Sequence, residues 1–206
     1  MLGVVVGLAA EARLARSLIL PVEIGGGTAT GANSAVARLL ARGVTSLLSF
    51  GLAGGLDPSL RPGAVIVPSQ LRLGGATWTA DPALCVRLGG SSGHILTGGA
   101  LAATATAKCA LRRQTGADAI DLETAAAAQS GLPFAALRAI CDPADRDLPH
   151  AAQAALDAGG RIGALRVTMA ALTHPSEIGG LFALARDAAQ ARRALKLRVR
   201  SIGALS

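Results

Sequence analysis

The stretch ARGVTSLLSFGLAGG, residues 41–55, decides how this chain folds. Val44–Phe50 is a short, β-prone run with Gly43 before it and the glycine-rich GLAGG (51–55) behind it. It is too short for a buried helix and reads as a buried strand that ends in a tight turn without side-chain bulk. Runs of the same kind recur on either side. Leu2–Val6 is a first strand, Ala64–Pro68 a strand closed by proline, and Phe134–Ile140 a third buried strand ending at Cys141–Asp142. Between them lie alanine- and leucine-rich segments of helical character: about Ala10–Leu18, Ala32–Arg42 with Asn33 or Ser34 as cap, and Leu122–Ser130. Pro149–Ala158 begins a helical stretch that resumes after Gly159–Gly160 as Arg161–Leu172. From Ile178 onward, Leu181, Phe182, Ala185, Ala188, Ala189, Leu195, Val199 and Ile202 keep helical spacing. Strands alternating with helices argue an α/β domain with a largely parallel sheet covered on both faces.

Composition sets the outer bounds. A chain of 206 residues that is 51% hydrophobic supports one core, so a single domain over 1–206 is expected. With 16% charged residues and 26 glycines, it is neither a disordered tail, a coiled coil nor a disulfide-stapled mini-domain. Its apolar runs fall short of the ~20 residues a bilayer requires. The opening MLGVVVGLAAEAR carries no cationic leader and reads as a strand, so a cytoplasmic protein is expected. Cys85, Cys109 and Cys141 form no CxxC, which fits a reducing compartment. His94, His150 and His174 lie far apart, and no metal-ligand spacing is present, so no metal is expected.

The net charge of +7 is unevenly placed. Residues 161–200 hold eight basic side chains against Glu177 and Asp187, a net +6. The segment 178–202 therefore reads as a basic C-terminal helix. It either packs on the domain with a solvated face or rests on an anionic membrane surface. Aromatics are 2% with no Tyr, so stacking platforms for single-stranded nucleic acid are missing and no nucleic-acid partner is expected.

Ligands of an open α/β sheet bind beyond the C-terminal ends of its strands. Glu11 follows the first strand, Arg138 lies within the last, and Asp142 stands at its mouth before a proline. In AIDLETAAAA (119–128), Asp121 and Glu123 are two apart and share a face if the chain is extended. Taken singly, such residues are more often caps and turns, and GGGTATG (25–31) and GLAGG more often tight turns than ligand loops. Neither glycine stretch matches a dinucleotide fingerprint or a P-loop. A buried Arg138 nonetheless demands a partner. Several carboxylates and one arginine around a glycine-lined crevice suit cleavage through an oxocarbenium ion: one grips sugar hydroxyls, one handles water, one protonates the leaving group.

FGLAGGLDPSLRPGAVIVPSQ (50–70), AIDLETAAAA (119–128) and LRAICDPADRDLP (137–149) resemble, in order and spacing, the nucleoside phosphorylase/nucleosidase superfamily. They are most similar to its methylthioadenosine/S-adenosylhomocysteine nucleosidase branch. Within that branch, HPSEIGGLFALARDAAQARRAL (174–195) resembles the hopanoid-associated phosphorylases that act on adenosylhopane. The resemblance implies a three-layer α/β/α domain with a twisted mixed sheet, a homodimer, and release of adenine by N-glycosidic cleavage. It implies Asp142 as proton donor toward the purine, with Arg138 as its strand companion, and Glu11 as the carboxylate that activates water. It places Glu123 on the ribose hydroxyls, Leu122 against the sugar, and Gly54 in the substrate-binding turn. Gly26 and Gly27 would face the anion or water site.

Departures from the family pattern follow. Leu52 replaces a serine that helps order the nucleophile, and Leu101 stands where an aromatic stacks on the base. Both make the pocket greasier, as a lipid-linked nucleoside requires. No cofactor is implied, although inorganic phosphate in place of water is left open; Arg13 and Arg16 favour phosphate if turned inward. The competing expectations are a general methylthioadenosine/adenosylhomocysteine nucleosidase and a non-catalytic basic protein that docks on membranes.

Overall fold

The computed structural model describes residues 1–98, 102–150, 152–153 and 177–203. Parallel pairing builds its centre from four strands, β1 (Leu2–Val6), β2 (Val22–Ile24), β3 (Ser46–Gly55) and β9 (Phe134–Asp142), in the order β2, β1, β3, β9. All five residues of β1 are buried, as are nearly all of β9, the burial pattern of strands covered on both faces. The core forms where Val4, Val6, Leu47, Phe50, Leu137 and Ile140 meet.

GLAGG is not a turn. It continues β3 to Gly55, so the strand runs ten residues and its far end changes partner. Gly54 and Gly55 pair antiparallel with β8 (Ala119–Asp121). β8 leads on through β7 (His94–Thr97) and β5 (Gln70–Leu73) to β6 (Ala76–Thr79) at the edge, while β4 (Val65–Ile66) pairs antiparallel with β9. The sheet is therefore mixed. Glycines without side chains let a single strand bend far enough to serve both halves.

The helices of the described residues are α1 (Ala9–Ala15), α2 (Ala29–Ala41), α3 (Pro82–Arg87), α4 (Ala105–Thr115), α5 (Thr124–Gln129) and α6 (Ile178–Ile202). They pack on the sheet in groups, α2 against α5 and α1 against α6. α2 starts earlier than its sequence suggests: Thr28 caps it, accepting from the Gly31 amide at 3.1 Å, and Asn33 and Ser34 lie inside the helix. The first helix is shorter than expected and ends in a 3₁₀ turn, Arg16–Leu18. The Pro149–Ala158 helix falls largely, and Arg161–Leu172 wholly, outside the described residues.

The region between residues 70 and 121 holds strands and helices that hydrophobic patterning misses, each fixed by local chemistry. Gly74 and Gly75, at φ of 54° and 86°, form the two-residue turn joining β5 to β6. Asp81 and Thr104 cap α3 and α4, and Gly116 stops α4 in the left-handed region.

Helix α6 turns Asp187, Ala191, Leu195 and Val199 to the body, one residue per turn. Its basic residues do not form one outward face. Arg198 Nη1 donates to the Leu88 carbonyl at 3.1 Å, whereas Arg193, Lys196 and Arg200 are exposed. Phe182 is 74% exposed. Among the described residues, no helix is long and apolar enough to cross a membrane.

Two helical glycines test this packing. A Cβ at Gly31 falls 1.6 Å from the Gly25 carbonyl oxygen, a rigid backbone atom, whereas a Cβ at Gly179 meets nothing within 4 Å. Gly31→Ala is expected to destabilise by about 3 kcal/mol or more, and Gly179→Ala to stabilise by about 0.4–1 kcal/mol. Urea midpoints that move in opposite directions for the two variants are the expected outcome.

Candidate active site

The C-terminal edge of the parallel strands gathers the expected residues through short local constraints. Glu11 sits at the third position of α1, where its carboxylate reaches back over the helix start. One oxygen accepts from the Gly7 amide at 3.0 Å and the Leu8 amide at 2.8 Å, as in a capping box. The other accepts from the Leu52 amide on β3 at 3.0 Å, so Leu52 contributes its backbone to the site. Three amides from two elements thus fix a carboxylate that is only 4% exposed.

Arg138 is fully buried on β9 and finds its partners on β3, β8 and α5. Its Nη2 lies 2.6 Å from Asp121 Oδ2 and donates to Ser49 Oγ at 2.6 Å and Thr124 Oγ1 at 2.9 Å. Asp121 is held in turn by Thr97 Oγ1 at 2.7 Å and by the Thr124 hydroxyl. The other guanidinium nitrogen, Nη1, stands 3.7 Å from Glu123 Oε2. It makes no hydrogen bond to the protein among the described residues.

Asp121 and Glu123 therefore both face Arg138, one from the end of β8 and one from the residue before α5. Burial pushes the Glu123 carboxyl up to about 7, against the pull of Arg138 and with help from the anions Glu11 and Asp121. The Gly27 amide bonds to the same carboxylate, so the Gly26–Gly27 turn abuts the sugar-clamp residue. Both glycines adopt φ of 76°.

Two other glycines make room for this cluster. A Cβ at Gly7 lies 2.2 Å from Glu123 Oε1. One at Gly51 lies 2.6 Å from Arg138 Nη1 and 2.7 Å from Glu11 Oε1. Close backbone approach, not turn geometry, requires glycine at both positions.

Asp142 lies further along the same edge. The pairing of β3 with β9 slips by one residue at Ala53/Gly54, which leaves Cys141 as the extra residue and sets Asp142 opposite Gly54. Three residues of strand, roughly 10 Å, separate Gly51 beside Arg138 from Gly54 beside Asp142. A Cβ at Gly54 stands 3.6 Å from Asp142 Oδ2. The opposite oxygen, Oδ1, accepts from Lys108 Nζ at 2.7 Å. Burial raises the Asp142 carboxyl above its ordinary value, partly offset by Lys108 and Arg146. The Cys141 thiol, half-buried beside Asp142 and Glu11, is pushed up to about 12, so it is not a thiolate nucleophile at neutral pH.

Glu11, Glu123 and Arg138 are thus brought together, with Leu52 and Gly54 on the strand beside them and Leu122 half-buried between Asp121 and Glu123. Leu101 lies outside the described residues. Arg13 and Arg16 are exposed and turn away. Lys108 is the residue that sequence reasoning overlooks. Its signal was its rarity, since the chain has two lysines among 20 basic residues. No group of His, Cys, Asp and Glu suited to a metal ion occurs among the described residues.

Residues 9–84, which carry α1 with Glu11 and the whole of β3, match the sequence model of the Phosphorylase superfamily. Over the whole chain, the fold is that of solved nucleosidases. The 5′-methylthioadenosine/S-adenosylhomocysteine nucleosidase of Neisseria meningitidis, in complex with methylthio-immucillin-A, superposes with a TM-score of 0.66 at 17% identity, covering 97% of this chain and 98% of that one. The futalosine hydrolase of Helicobacter pylori gives a TM-score of 0.64 at 16% identity, with 97% of each chain covered. A Colwellia psychrerythraea methylthioadenosine/S-adenosylhomocysteine nucleosidase in complex with adenine gives 0.63 at 19% identity, covering 84% of this chain and 94% of that one. No curated protein sequence matches.

The raised Glu123 carboxyl has a consequence for stability. Its folded value, about 7, exceeds the ordinary 4.5, so the folded state holds this proton more tightly than the unfolded chain does. The resulting stabilisation is complete below about pH 4.5 and is lost as pH rises through about 7. Glu123→Gln is expected to flatten the stability profile across that window, by on the order of 3 kcal/mol at most. Chemical denaturation at intervals from pH 4 to 8 measures it, and parallel profiles for variant and wild type contradict it.

Proposed function

We propose that this protein is a purine nucleosidase that cleaves the N-glycosidic bond of an adenine nucleoside with water as nucleophile. The observation that carries this reading is the grouping of Glu11, Glu123 and Arg138 Nη1, which makes no hydrogen bond to the protein among the described residues, on one edge, with Asp142 a nucleoside's length away. The family match over residues 9–84 and the nucleosidase fold support it.

In this reading, Glu123 grips the ribose hydroxyls, and its negative charge opposes the positive charge that develops on the sugar. Arg138 Nη1 and Glu11 hold the water, whose proton passes to a carboxylate as its oxygen bonds to C1′. The electron pair of the breaking bond goes to the purine, which receives the Asp142 proton at N7. Phosphate fits poorly. Among the described residues, Arg138 is the cation facing Glu11 and Glu123, it is already paired with Asp121, and Arg13 and Arg16 point outward.

For the substrate, the finer reading is adenosylhopane, a lipid-linked nucleoside. It rests on the resemblance of residues 174–195 and on the apolar Leu52 and Leu122 beside the site. Small nucleosides such as methylthioadenosine and S-adenosylhomocysteine, named for the solved relatives, fit the same geometry at least as well. Peripheral contact with an anionic membrane belongs to the adenosylhopane reading, and a homodimer to the nucleosidase reading as a whole.

The test is adenine release from adenosylhopane, methylthioadenosine and S-adenosylhomocysteine, with and without phosphate. Release independent of phosphate, yielding a free ribosyl product, is expected. Higher kcat/KM on adenosylhopane supports the lipid substrate, equal or higher values on the small nucleosides replace it, and no release from any of them overturns the enzyme reading. Asp142→Asn, near-isosteric but unable to protonate the base, is expected to fold normally and to slow release by roughly 10²–10⁴-fold. Wild-type turnover in that variant removes Asp142 from the chemistry.

A further inference from the structure

Lys108 is the one buried ammonium of the described fold, and every acceptor of its Nζ belongs to the segment that carries Asp142. It extends from the first turn of α4 with no solvent exposure. Its Nζ donates to Asp142 Oδ1 at 2.7 Å, to the Pro143 carbonyl at 2.9 Å and to the Arg146 carbonyl at 2.7 Å. Those three acceptors use all three of its donors. An ammonium carries three donors on one atom, whereas a guanidinium spreads its five over three nitrogens in a plane, and this compact cluster of acceptors fits the first better.

We propose that Lys108 is a positioning residue for Asp142: it fixes the carboxyl with Oδ1 occupied and Oδ2 turned to the Gly54 side, and its charge offsets the anion left when the proton goes to the purine. The inference rests on the nucleosidase reading above. Two geometric facts argue that the pair is more than a structural tie. First, the bond uses one carboxyl oxygen only, and the oxygen left over is the one beside the glycine-lined strand. Second, Lys108 binds the two carbonyls that immediately follow on the loop, so the backbone carrying Asp142 is anchored to α4 at three points. An acid held in this way loses its proton into a site whose charge is already arranged, without reorganisation at the moment of transfer.

The other charged groups facing Asp142 are Arg146, on the same loop, and Asp187, on α6. They pair with each other at 2.8 Å, so Lys108 is the cation bonded to the acid itself. Proton donation needs Asp142 protonated, so activity falls on the alkaline side as this proton is lost. A neighbouring cation favours the charged carboxylate and thus sets that alkaline limb lower than burial alone would.

Lys108→Met keeps length and burial but removes the charge. It is expected to lower turnover by about 10²-fold, with little change in KM, and to move the alkaline limb of the kcat profile to higher pH. A folded variant with an unmoved limb overturns the proposal, whatever its turnover.

Should Lys108→Met fail to fold, the wild-type chain still gives an answer, because its only other lysine, Lys196, is exposed and removable as Lys196→Arg. In that single-lysine protein, the ¹⁵Nζ resonance of Lys108 is expected to shift with pH in step with the alkaline limb, and to lose that shift in Asp142→Asn. A resonance that ignores the limb overturns the proposal. Absence of base release by the wild-type protein overturns the nucleosidase reading itself, a different outcome from release with an unmoved limb.

Discussion

A guanidinium sealed inside a β-sheet is the constraint around which the rest of this protein is arranged. Burying the charge of Arg138 without partners costs far more than a small domain can supply, so the fold has to bring carboxylates to it. Asp121 meets Nη2 directly, and Ser49 and Thr124 complete the contacts of that nitrogen. These partners come from β8, β3 and α5. The ion pair therefore fixes where the second half of the sheet docks on the first. It is held from the far side as well, since Thr97 on β7 donates to Asp121 and accepts from the Ala125 amide at the start of α5.

The same requirement generates the site. Arg138 has more donor capacity than its structural partners use: Nε and Nη1 make no hydrogen bond among the described residues, and Nη1 lies at the edge where Glu123 and Glu11 stand. Those carboxylates differ in how they are held. Glu11 is fastened by three backbone amides, whereas Glu123 relies on a distant arginine nitrogen and the Gly27 amide, and burial drives it toward neutrality. Burial thus raises the proton affinity of Glu123 while backbone amides fix Glu11 in place, and such differences in surroundings are what make separate binding and water-handling roles available.

Strands β1, β3 and β9 were legible in the sequence because they are largely buried on both faces and leave continuous apolar runs, whereas β2, a three-residue strand with no fully buried residue, left none. The site carboxylates were legible for a related reason: acidic residues are scarce in this chain, and Glu11, Glu123 and Asp142 stand where apolar segments end. The glycines of GLAGG were misread as a turn, because a residue without a side chain gives the same signal whether the chain reverses or something presses against it. Only the positions of Glu11 and Arg138 across from Gly51 distinguish the two. The strands and helices between residues 70 and 121 left little trace, since they are three to eleven residues long and are fixed by Asp81, Thr104 and the Gly74–Gly75 turn. Lys108 was invisible to patterning, because on α4 it occupies an inward position that periodicity assigns to an apolar residue.

The one-residue slip in β9 joins these threads. Without it, Asp142 would pair with Gly55 and share the sheet face of Arg138, four residues earlier, since strand alternation returns side chains to the same side at even spacing. Two carboxylate groups and the acid would then crowd one guanidinium, and Arg138 would bind Asp142 in competition with Asp121. The extra residue, Cys141, turns Asp142 to the face of Gly54 instead, where α4 supplies Lys108. Each buried cation thereby acquires its own carboxylates, Arg138 with Asp121 and Glu123, Lys108 with Asp142. The glycine-rich end of β3 runs between the two sets. A proton donor kept apart from the water-binding carboxylates can act on one end of a glycosidic bond while they act on the other. A thiol whose surroundings hold it un-ionised, as Cys141 is, suits the bulge, since it adds length to the strand without adding a third charge.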